Sequence, residues 1–246
     1  MCSTIFNHVS IRKYKDKPIC DANLIDILCA AVRASNTGNM QVYSIIVSKE
    51  EQIKRQLMPA HFNQASIGQA PVVLTFCADF NRFNKWCELR NAEPCYNNFL
   101  SFMTAATDAI IAAQNACIRA EELGLGICYF GTTIYNADKI IEILNLPKGV
   151  VPITTVTLGY PDEKPELTDR LPLDAVIHWE TYKDYSEEDI NKFYQSKENL
   201  ADSKKFIEEN GKETLAQVFT DVRYPKTNNE HFSKILLEVL KNQNFI

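Results

Sequence analysis

An alanine-rich stretch, Thr104–Leu123, constrains the fold of this chain more than any other segment. Alanine recurs along it at helical spacing, and isoleucine, cysteine and leucine occupy much of the rest. A helix with apolar residues on nearly every face has no solvated side, so it is predicted to lie in a large core or a subunit contact. Gly124 is placed to end this helix in the left-handed conformation, and the apolar run Ile127–Phe130 then predicts a strand.

The composition bounds the class of protein. A chain of 246 residues, 46% of them apolar, can bury a sizeable core as one large domain or as a domain with an extension. Its formal charge of −5 and its lack of a basic block argue against a nucleic-acid partner. No apolar run approaches the roughly 18–20 residues that span a bilayer. The N-terminus also lacks the apolar core of a signal peptide, so we expect no membrane partner and a cytoplasmic location.

The metal-binding and nucleophilic residue types form no familiar pattern. Eight cysteines are scattered without a CxxC pair, so we expect buried free thiols in a reducing compartment. The four histidines lie far apart, and we predict no metal site. The chain has no nucleophile elbow, glycine-rich phosphate loop or dinucleotide fingerprint. What remains is a distributed set of polar and basic residues, which can hold a phosphorylated cofactor through side chains.

The other elements predict an α+β protein. Strands are predicted over the apolar runs Val42–Ser48, Pro71–Asp79 and Val150–Leu158. Helices are predicted from an Asp21 N-cap to Arg33, over Lys49–Leu57, from an Asn136 N-cap to Leu146, and over Asn229–Lys241. The aromatic segment Phe80–Phe102 either lines a pocket or partner contact, or forms a small core under a loop.

Two polar clusters are candidates for binding. If residues 8–12 are extended, His8, Ser10 and Arg12 point to one side, because strand side chains alternate. The alternative is a solvated basic arm without a ligand. The loop Ser35–Asn39 joins a helix to a strand and can hydrogen-bond a planar polar ring, although any turn can contain such residues.

Several segments resemble the nitroreductase superfamily, and most closely its NADPH-dependent oxygen-insensitive nitroreductase and flavin reductase group. The matching segments are His8-Val-Ser10-Ile-Arg12-Lys-Tyr, Ala34-Ser-Asn-Thr-Gly-Asn-Met-Gln41, Phe76-Cys-Ala-Asp-Phe-Asn-Arg82, Ala112-Ala-Gln-Asn-Ala116, Ala120-Glu-Glu-Leu-Gly-Leu-Gly126, Leu158-Gly-Tyr-Pro161 and Arg170-Leu-Pro172. No single segment is specific, but their order and spacing over roughly residues 6–182 are.

This resemblance implies an α+β nitroreductase-like fold, with a central mixed or antiparallel sheet flanked by helices. The long central helix would lie at a homodimer interface, with FMN between the subunits. Residues 1–185 would form the FMN-binding domain. Residues 186–246 would form a C-terminal helical extension that packs on the core or on the partner subunit.

The resemblance also implies which residues contact FMN. His8, Ser10 and Arg12 would contact its phosphate and ribityl chain, and Arg170 would bind the phosphate. The residues expected near the isoalloxazine ring are Asn36, Thr37, Gly38, Asn39, Gln64, Tyr129, Phe130 and Gly131. The sequence departs from its relatives at Thr168, where they have a second basic residue, and at Thr132, where they have glycine.

The implied activity is electron transfer from NADPH or NADH through FMN to nitroaromatics, quinones or free flavin by a ping-pong mechanism. No side chain is required as nucleophile or base, so no catalytic residue is assigned. Lys197, Lys204 and Lys205 are candidates for the NADPH 2′-phosphate. The alternative is a protein of the same fold that stores or senses FMN with little turnover.

Overall fold

A four-stranded antiparallel sheet forms the centre of the computed structural model, which describes residues 4–246. The strands are β1 (Tyr43–Ser48), β2 (Val72–Asp79), β3 (Gly126–Phe130) and β4 (Val150–Gly159), in the spatial order β1-β2-β4-β3. Every residue of β2 and β4, the central pair, is buried. Their continuous apolar runs follow from this position, because a strand covered on both faces has no polar side.

Helices cover both faces of this sheet. They are α1 (Asp21–Val32), α2 (Glu51–Ala60), α3 (Ala65–Gln69), α4 (Asn81–Glu88), α5 (Phe99–Glu122) and α6 (Ala137–Ile143). On one face α5 contacts all four strands, and α1 packs against α5. On the other face α2, α3 and α6 enclose a second apolar core with residues of β2 and β3. The predicted α+β fold with an antiparallel sheet between helices is confirmed.

The central helix α5 is longer than predicted. It begins at Phe99 because Asn98 caps it, accepting a hydrogen bond from the Ser101 N–H at 2.9 Å. One face carries the alanines, and six of them are at most 1% exposed: Ala105, Ala109, Ala112, Ala113, Ala116 and Ala120. Because these side chains are small, the helix axis can approach the sheet closely. Gly124 follows with φ +76°, the left-handed conformation that was predicted to end the helix.

The opposite face of α5 is not covered within one chain. Of the two alternatives predicted from the sequence, a core that encloses the helix on every side is excluded, because Leu100, Met103, Ile110 and Ile111 are between 37% and 76% exposed. These positions recur at helical spacing and form one stripe, which we call the α5 apolar stripe. The helix is therefore apolar on two faces, and one chain covers only the alanine face. The other alternative, a subunit contact, stays a prediction.

Two predicted N-caps are corrected. Asp21 is the first residue of α1 and does not cap it, and its carboxylate instead receives the Lys49 Nζ at 3.0 Å. Asn136 precedes α6, as predicted, but its side chain makes no capping bond. It donates to the carbonyl of Ala60 at 2.8 Å and so joins α6 to the end of α2. Both side chains form hydrogen bonds with residues distant in sequence. A local capping pattern cannot predict such bonds.

The chain divides into two compact units. One contains the residues described up to Glu166 together with Phe232–Ile246, and the other contains Leu167–His231. The second unit contains α7 (Glu187–Glu198), α8 (Ala201–Glu209), the short α9 (Leu215–Gln217), a π-helix (Val218–Arg223) and the start of α10 (Lys226–Asn242). The functional division at residue 185 stays a prediction. Among residues 4–246, no helix has the length and apolar character that crossing a bilayer requires.

The junction between β3 and the N-terminal segment provides a stability test. A Cβ at Gly126 would lie 2.5 Å from Cγ1 and 2.6 Å from Cβ of the buried Ile11, so Gly126→Ala must displace that side chain. We expect a loss of about 1–3 kcal/mol in the free energy of unfolding, measured in urea. Gly131→Ala is the matched control, because no atom lies within 4 Å of its new Cβ. Equal stability of the two variants would contradict this packing.

Candidate functional site

The segment that carries His8, Ser10 and Arg12 runs along the outer edge of β3. Ser10 forms a parallel bridge with Ile127, and the Ile11 N–H donates to the Ile127 carbonyl at 2.8 Å. Ile11 is 5% exposed and belongs to the second core. The guanidinium of Arg12 is exposed and makes no hydrogen bond or ion pair with residues 4–246. The segment is therefore anchored to the sheet, with one cation left available.

Two carboxylates fix this edge. His8 Nδ1 lies 2.5 Å from Glu121 Oε1 at the end of α5. An ionised carboxylate only accepts hydrogen bonds, so Nδ1 carries the proton and Nε2 is the ring atom left for a ligand. Glu163 Oε1 accepts the backbone N–H groups of Arg12 at 2.5 Å and Lys13 at 3.1 Å. These bonds hold the backbone of the segment and do not involve the Arg12 guanidinium.

The loop Asn36–Asn39 is held by a buried acid. Asp108 on α5 is 1% exposed and accepts the Thr37 N–H at 3.0 Å and the Thr37 hydroxyl at 3.2 Å. Gly38 and Asn39 follow with φ of +56° and +54°, so both adopt the left-handed conformation. The Asn39 side chain is exposed. Nothing local in the sequence marks Asp108 as the anchor of this loop, because the two are 71 residues apart in the chain.

A cavity of about 530 Å³ opens beside this loop. It is lined by Gly38, Asn39, Met40, Arg82, Phe83 and Trp86. The Arg82 guanidinium donates to the carbonyl of Gln41 and so supports the loop. The two alternatives for residues 80–102 were a pocket or partner contact and a small core under a loop, and each describes a part of this segment. Phe80 is 1% exposed and stacks on Tyr96 at 4.9 Å between ring centroids, whereas Trp86 lines the cavity and is 55% exposed.

The end of β3 and the turn after α2 form a third group. No atom lies within 4 Å of a Cβ built on Gly131, so the backbone there borders open space. The exposed side chain of Gln64 makes no hydrogen bond with residues 4–246. The hydroxyl of Tyr129 donates to Gln114 Oε1 on α5 at 3.3 Å. Phe130 is 2% exposed on the other side of the strand, so only its backbone is available to a ligand.

His61 is a buried histidine that contacts the turn after Gly131 and that the sequence did not single out. It is fully buried at the end of α2, and its Nδ1 lies 2.8 Å from the hydroxyl oxygen of Thr132. Its Nε2 has no hydrogen-bond partner among residues 4–246. Burial lowers the pKa of His61 to about 4, so the ring is neutral at physiological pH. The sequence signal was weak, because nothing local distinguishes His61 from an exposed loop histidine.

These groups do not converge in one chain. Thr37 and His8 bind α5 at Asp108 and Glu121, which are thirteen residues apart. At a rise of 1.5 Å per residue, this separates the two contact points by about 20 Å along the helix. The structure therefore brings the N-terminal row to the strand that ends at Gly131, and it holds the Asn36–Asn39 loop at another level of the helix.

Arg170 lies in the second unit. Its Nη1 donates to the Thr168 hydroxyl at 2.6 Å and to the Asp169 carbonyl at 2.9 Å, so part of the guanidinium is used within its own loop. The Lys197 ammonium lies 2.8 Å from Asp169, and the Lys205 ammonium lies 3.7 Å from Glu209. Two of the three candidates for a nicotinamide phosphate contact thus already face a carboxylate.

Metal binding has no visible basis in the part of the chain that the structure describes. Residues 4–246 contain no cluster of three or more histidine, cysteine or acidic side chains that could hold an ion. The available groups are instead a guanidinium, an amide and open backbone along one edge strand. Such donors suit an organic ligand that carries an anionic group.

The fold and these groups define an α+β ligand-binding domain whose donors come from several separate elements. The chain belongs to the Nitroreductase family, since the model of that family matches residues 5–160. The family resemblance seen in the sequence is confirmed.

Individual relatives agree with this assignment. The chain is 33% identical over 230 residues to the FMN reductase (NAD(P)H) of Bacillus subtilis, covering 90% of this chain and 92% of that protein. It is 35% identical over 183 residues to the oxygen-insensitive NADPH nitroreductase of Salmonella typhimurium, covering 73% of each. A crystal structure from Bacteroides fragilis, of a protein provisionally classed as an oxidoreductase, matches with a TM-score of 0.98 and 55% identity over 99% of both chains.

The burial of His61 predicts an acid-sensitive contribution to stability. The unfolded chain protonates this ring below pH about 6.5, whereas the folded chain does so only near pH 4. The contribution of His61 to the free energy of unfolding is therefore complete above pH about 6.5. It falls by about 3 kcal/mol as the pH drops from about 6.5 to about 4. We expect His61→Asn to be less stable than wild type at pH 7 and this deficit to shrink at pH 4.5, by urea unfolding. An unchanged deficit would show that the folded ring is not held neutral.

Proposed function

We propose that this protein is an FMN-dependent oxidoreductase that passes electrons from NAD(P)H to nitroaromatics, quinones or free flavin. The observation that carries the proposal is the edge of β3. An unpaired guanidinium at Arg12 and an open backbone at Gly131 lie at the two ends of one anchored strand region. Relatives named as FMN reductase and NADPH nitroreductase support the same activity.

The groups along this edge fit FMN. Ser10 pairs with Ile127, four residues before Gly131, so this bridge and Gly131 are about 13 Å apart along the strand at a rise of 3.3 Å per residue. Arg12, with Ser10 and His8, would hold the phosphate and ribityl chain through charge-assisted bonds. Gln64 would bond the polar edge of the ring, and the open space at Gly131 leaves room for a flat ring against the backbone.

The chemistry follows from this arrangement. FMN, when bound, supplies hydride acceptance and its return to a second substrate. The residues of this chain orient the ring, keep its phosphate end fixed and leave one face for the donor and then the acceptor. Donor and acceptor would use that face in turn, which is a ping-pong mechanism. This chemistry needs no side chain as nucleophile or general base.

We also propose a homodimer with shared sites. The α5 apolar stripe is an uncovered packing face, and the Asn36–Asn39 loop is held about 20 Å along α5 from His8. A second chain packed on the stripe would cover it and could bring its own Asn36–Asn39 loop to the ring bound at Gly131. In this arrangement each FMN contacts residues of both chains.

Three finer points belong to the same proposal. Arg170 stays a predicted phosphate ligand, and Thr168 beside it supplies a hydroxyl where the family resemblance implies a second basic residue. NADH and NADPH are both retained as donors, because Lys197 and Lys205 are engaged by carboxylates. The seven described cysteines are free thiols, which agrees with a cytoplasmic location, but only Cys77, Cys117 and Cys128 are buried, so the expected burial was wrong for the others.

Removal of the Arg12 guanidinium tests its proposed role in FMN binding. Arg12→Ala should weaken FMN binding to the apoprotein about tenfold to a hundredfold, because hydrogen bonds to charged groups contribute about 1.5–3 kcal/mol. Fluorescence titration of the apoprotein measures this dissociation constant. Arg90→Ala is the control, since Arg90 is exposed and its guanidinium bonds only the adjacent Leu89 carbonyl. Wild-type affinity in Arg12→Ala would remove the N-terminal row from the site.

Turnover separates an enzyme from the alternative, an FMN store or sensor. We expect the wild-type holoprotein to oxidise NADPH or NADH continuously when a quinone or a nitrofuran is added. Double-reciprocal plots of initial rate at several acceptor concentrations should give parallel lines, the pattern of a ping-pong mechanism. Binding of FMN without steady-state oxidation of either donor would favour the storage or sensor function.

The shared site makes assembly testable. Ile110 is 50% exposed on the α5 apolar stripe, so Ile110→Glu should place charges in the subunit contact and convert dimers to monomers. Analytical ultracentrifugation at micromolar concentration measures the mass, and absorbance at flavin wavelengths measures retained FMN. Ile25→Glu is the control on α1, where Ile25 is 59% exposed. A wild-type monomer that holds FMN would contradict the shared site.

A further inference from the structure

The hydrogen bond between His61 and Thr132 is not explained by the proposed contacts to FMN. His61 is fully buried, and its partner lies in the turn that directly follows Gly131. We propose that this pair is a positioning device that fixes the Gly131 turn against the flavin ring. The inference rests on the proposed FMN site, and it makes His61 a positioning residue that acts through Thr132.

The turn has one internal bond and one external bond. Thr133 donates its hydroxyl to the Phe130 carbonyl at 2.7 Å, which closes the turn on itself. The hydroxyl of Thr132 instead reaches His61 at 2.8 Å, on a different element. Four residues later, the Asn136 side chain donates to the Ala60 carbonyl at 2.8 Å. Two consecutive residues at the end of α2 therefore hold both ends of the segment 132–136.

The same histidine is coupled to the other side of the proposed ring position. The Gln64 N–H donates to the His61 carbonyl at 3.2 Å, which closes a tight loop between them. Phe62 and Asn63 within that loop have φ of +53° and +56°, so its conformation is narrowly defined. His61 therefore contacts both groups that we place at the ring, Gln64 through its backbone carbonyl and Thr132 through its side chain.

Packing alone does not account for a histidine here. Its Nε2 is buried without a partner, and a buried unpaired polar atom lowers stability. An apolar side chain of similar size would fill the space beside Phe130 without that loss. The Thr132 hydroxyl can either donate or accept, so its bond to Nδ1 persists in both neutral tautomers of the ring. A polar link between two elements is what the histidine provides and an apolar residue does not.

The test compares the bound flavin in four variants of the holoprotein. Thr132→Val keeps the shape and removes the hydroxyl, and His61→Leu removes the other partner. Thr132→Ser and His61→Asn retain a polar atom at each end. The measurements are the FMN dissociation constant of the apoprotein, the visible absorption spectrum of bound FMN and its midpoint potential. Thr155→Val is the control, because that hydroxyl is fully buried without a hydrogen-bond partner.

We expect Thr132→Val and His61→Leu to weaken FMN binding about threefold to tenfold, the range of one neutral hydrogen bond. Both should shift the spectrum and the potential, whereas Thr132→Ser and Thr155→Val should match wild type. The double variant His61→Leu/Thr132→Val should change the dissociation constant no more than the larger single change, because one shared bond is lost. If Thr132→Val does not fold, Thr132→Ala replaces it.

Three results would count against the inference, and the measurements distinguish them. If wild type binds FMN and both apolar variants retain its dissociation constant, spectrum and potential, the pair has only a structural role. If the wild-type apoprotein binds no FMN, the proposed function fails and this inference fails with it. A loss of thermal stability with an unchanged flavin spectrum and potential also counts against positioning.

Discussion

The close packing of the alanine face of α5 on the sheet is the constraint on which the rest of this structure depends. It places a rigid helix across all four strands. Three polar side chains on that helix then reach residues of the candidate site. Asp108 binds Thr37, Gln114 binds the Tyr129 hydroxyl, and Glu121 binds His8. The spacing of these three side chains along the helix thus fixes the positions of three separate chain segments.

Much of the fold could be predicted from the sequence, because its strongest signals are local. The runs that became β1, β2 and β4 are rich in apolar and β-branched residues, and a helix as apolar as α5 had to be covered on at least one face. The capping residues of the helices were predicted less accurately. The side chains of Asp21 and Asn136 form hydrogen bonds with residues remote in the chain and do not cap the local backbone. The family was evident because its motifs occur in order, although each one alone is unspecific.

The candidate site was only partly predictable, for a physical reason. Arg12 and Gln64 could be named from the resemblance, but their availability depends on what their neighbours leave unpaired. The acid that holds Thr37 and the histidine that holds Thr132 were not identified, because each pairing joins residues 71 positions apart. Sequence motifs report the groups that face a ligand, whereas the contacts that hold those groups appear only after folding.

The N-terminal segment has a consequence for the behaviour of the whole chain. β3 is an edge strand, and its sequence Gly-Ile-Cys-Tyr-Phe has no charge and no proline. Such an edge is a template for pairing with other chains and for aggregation. Here the bridge between Ser10 and Ile127 occupies that edge from within the molecule. The segment proposed to hold the cofactor phosphate therefore also protects an uncharged edge strand of the sheet from pairing with neighbouring molecules.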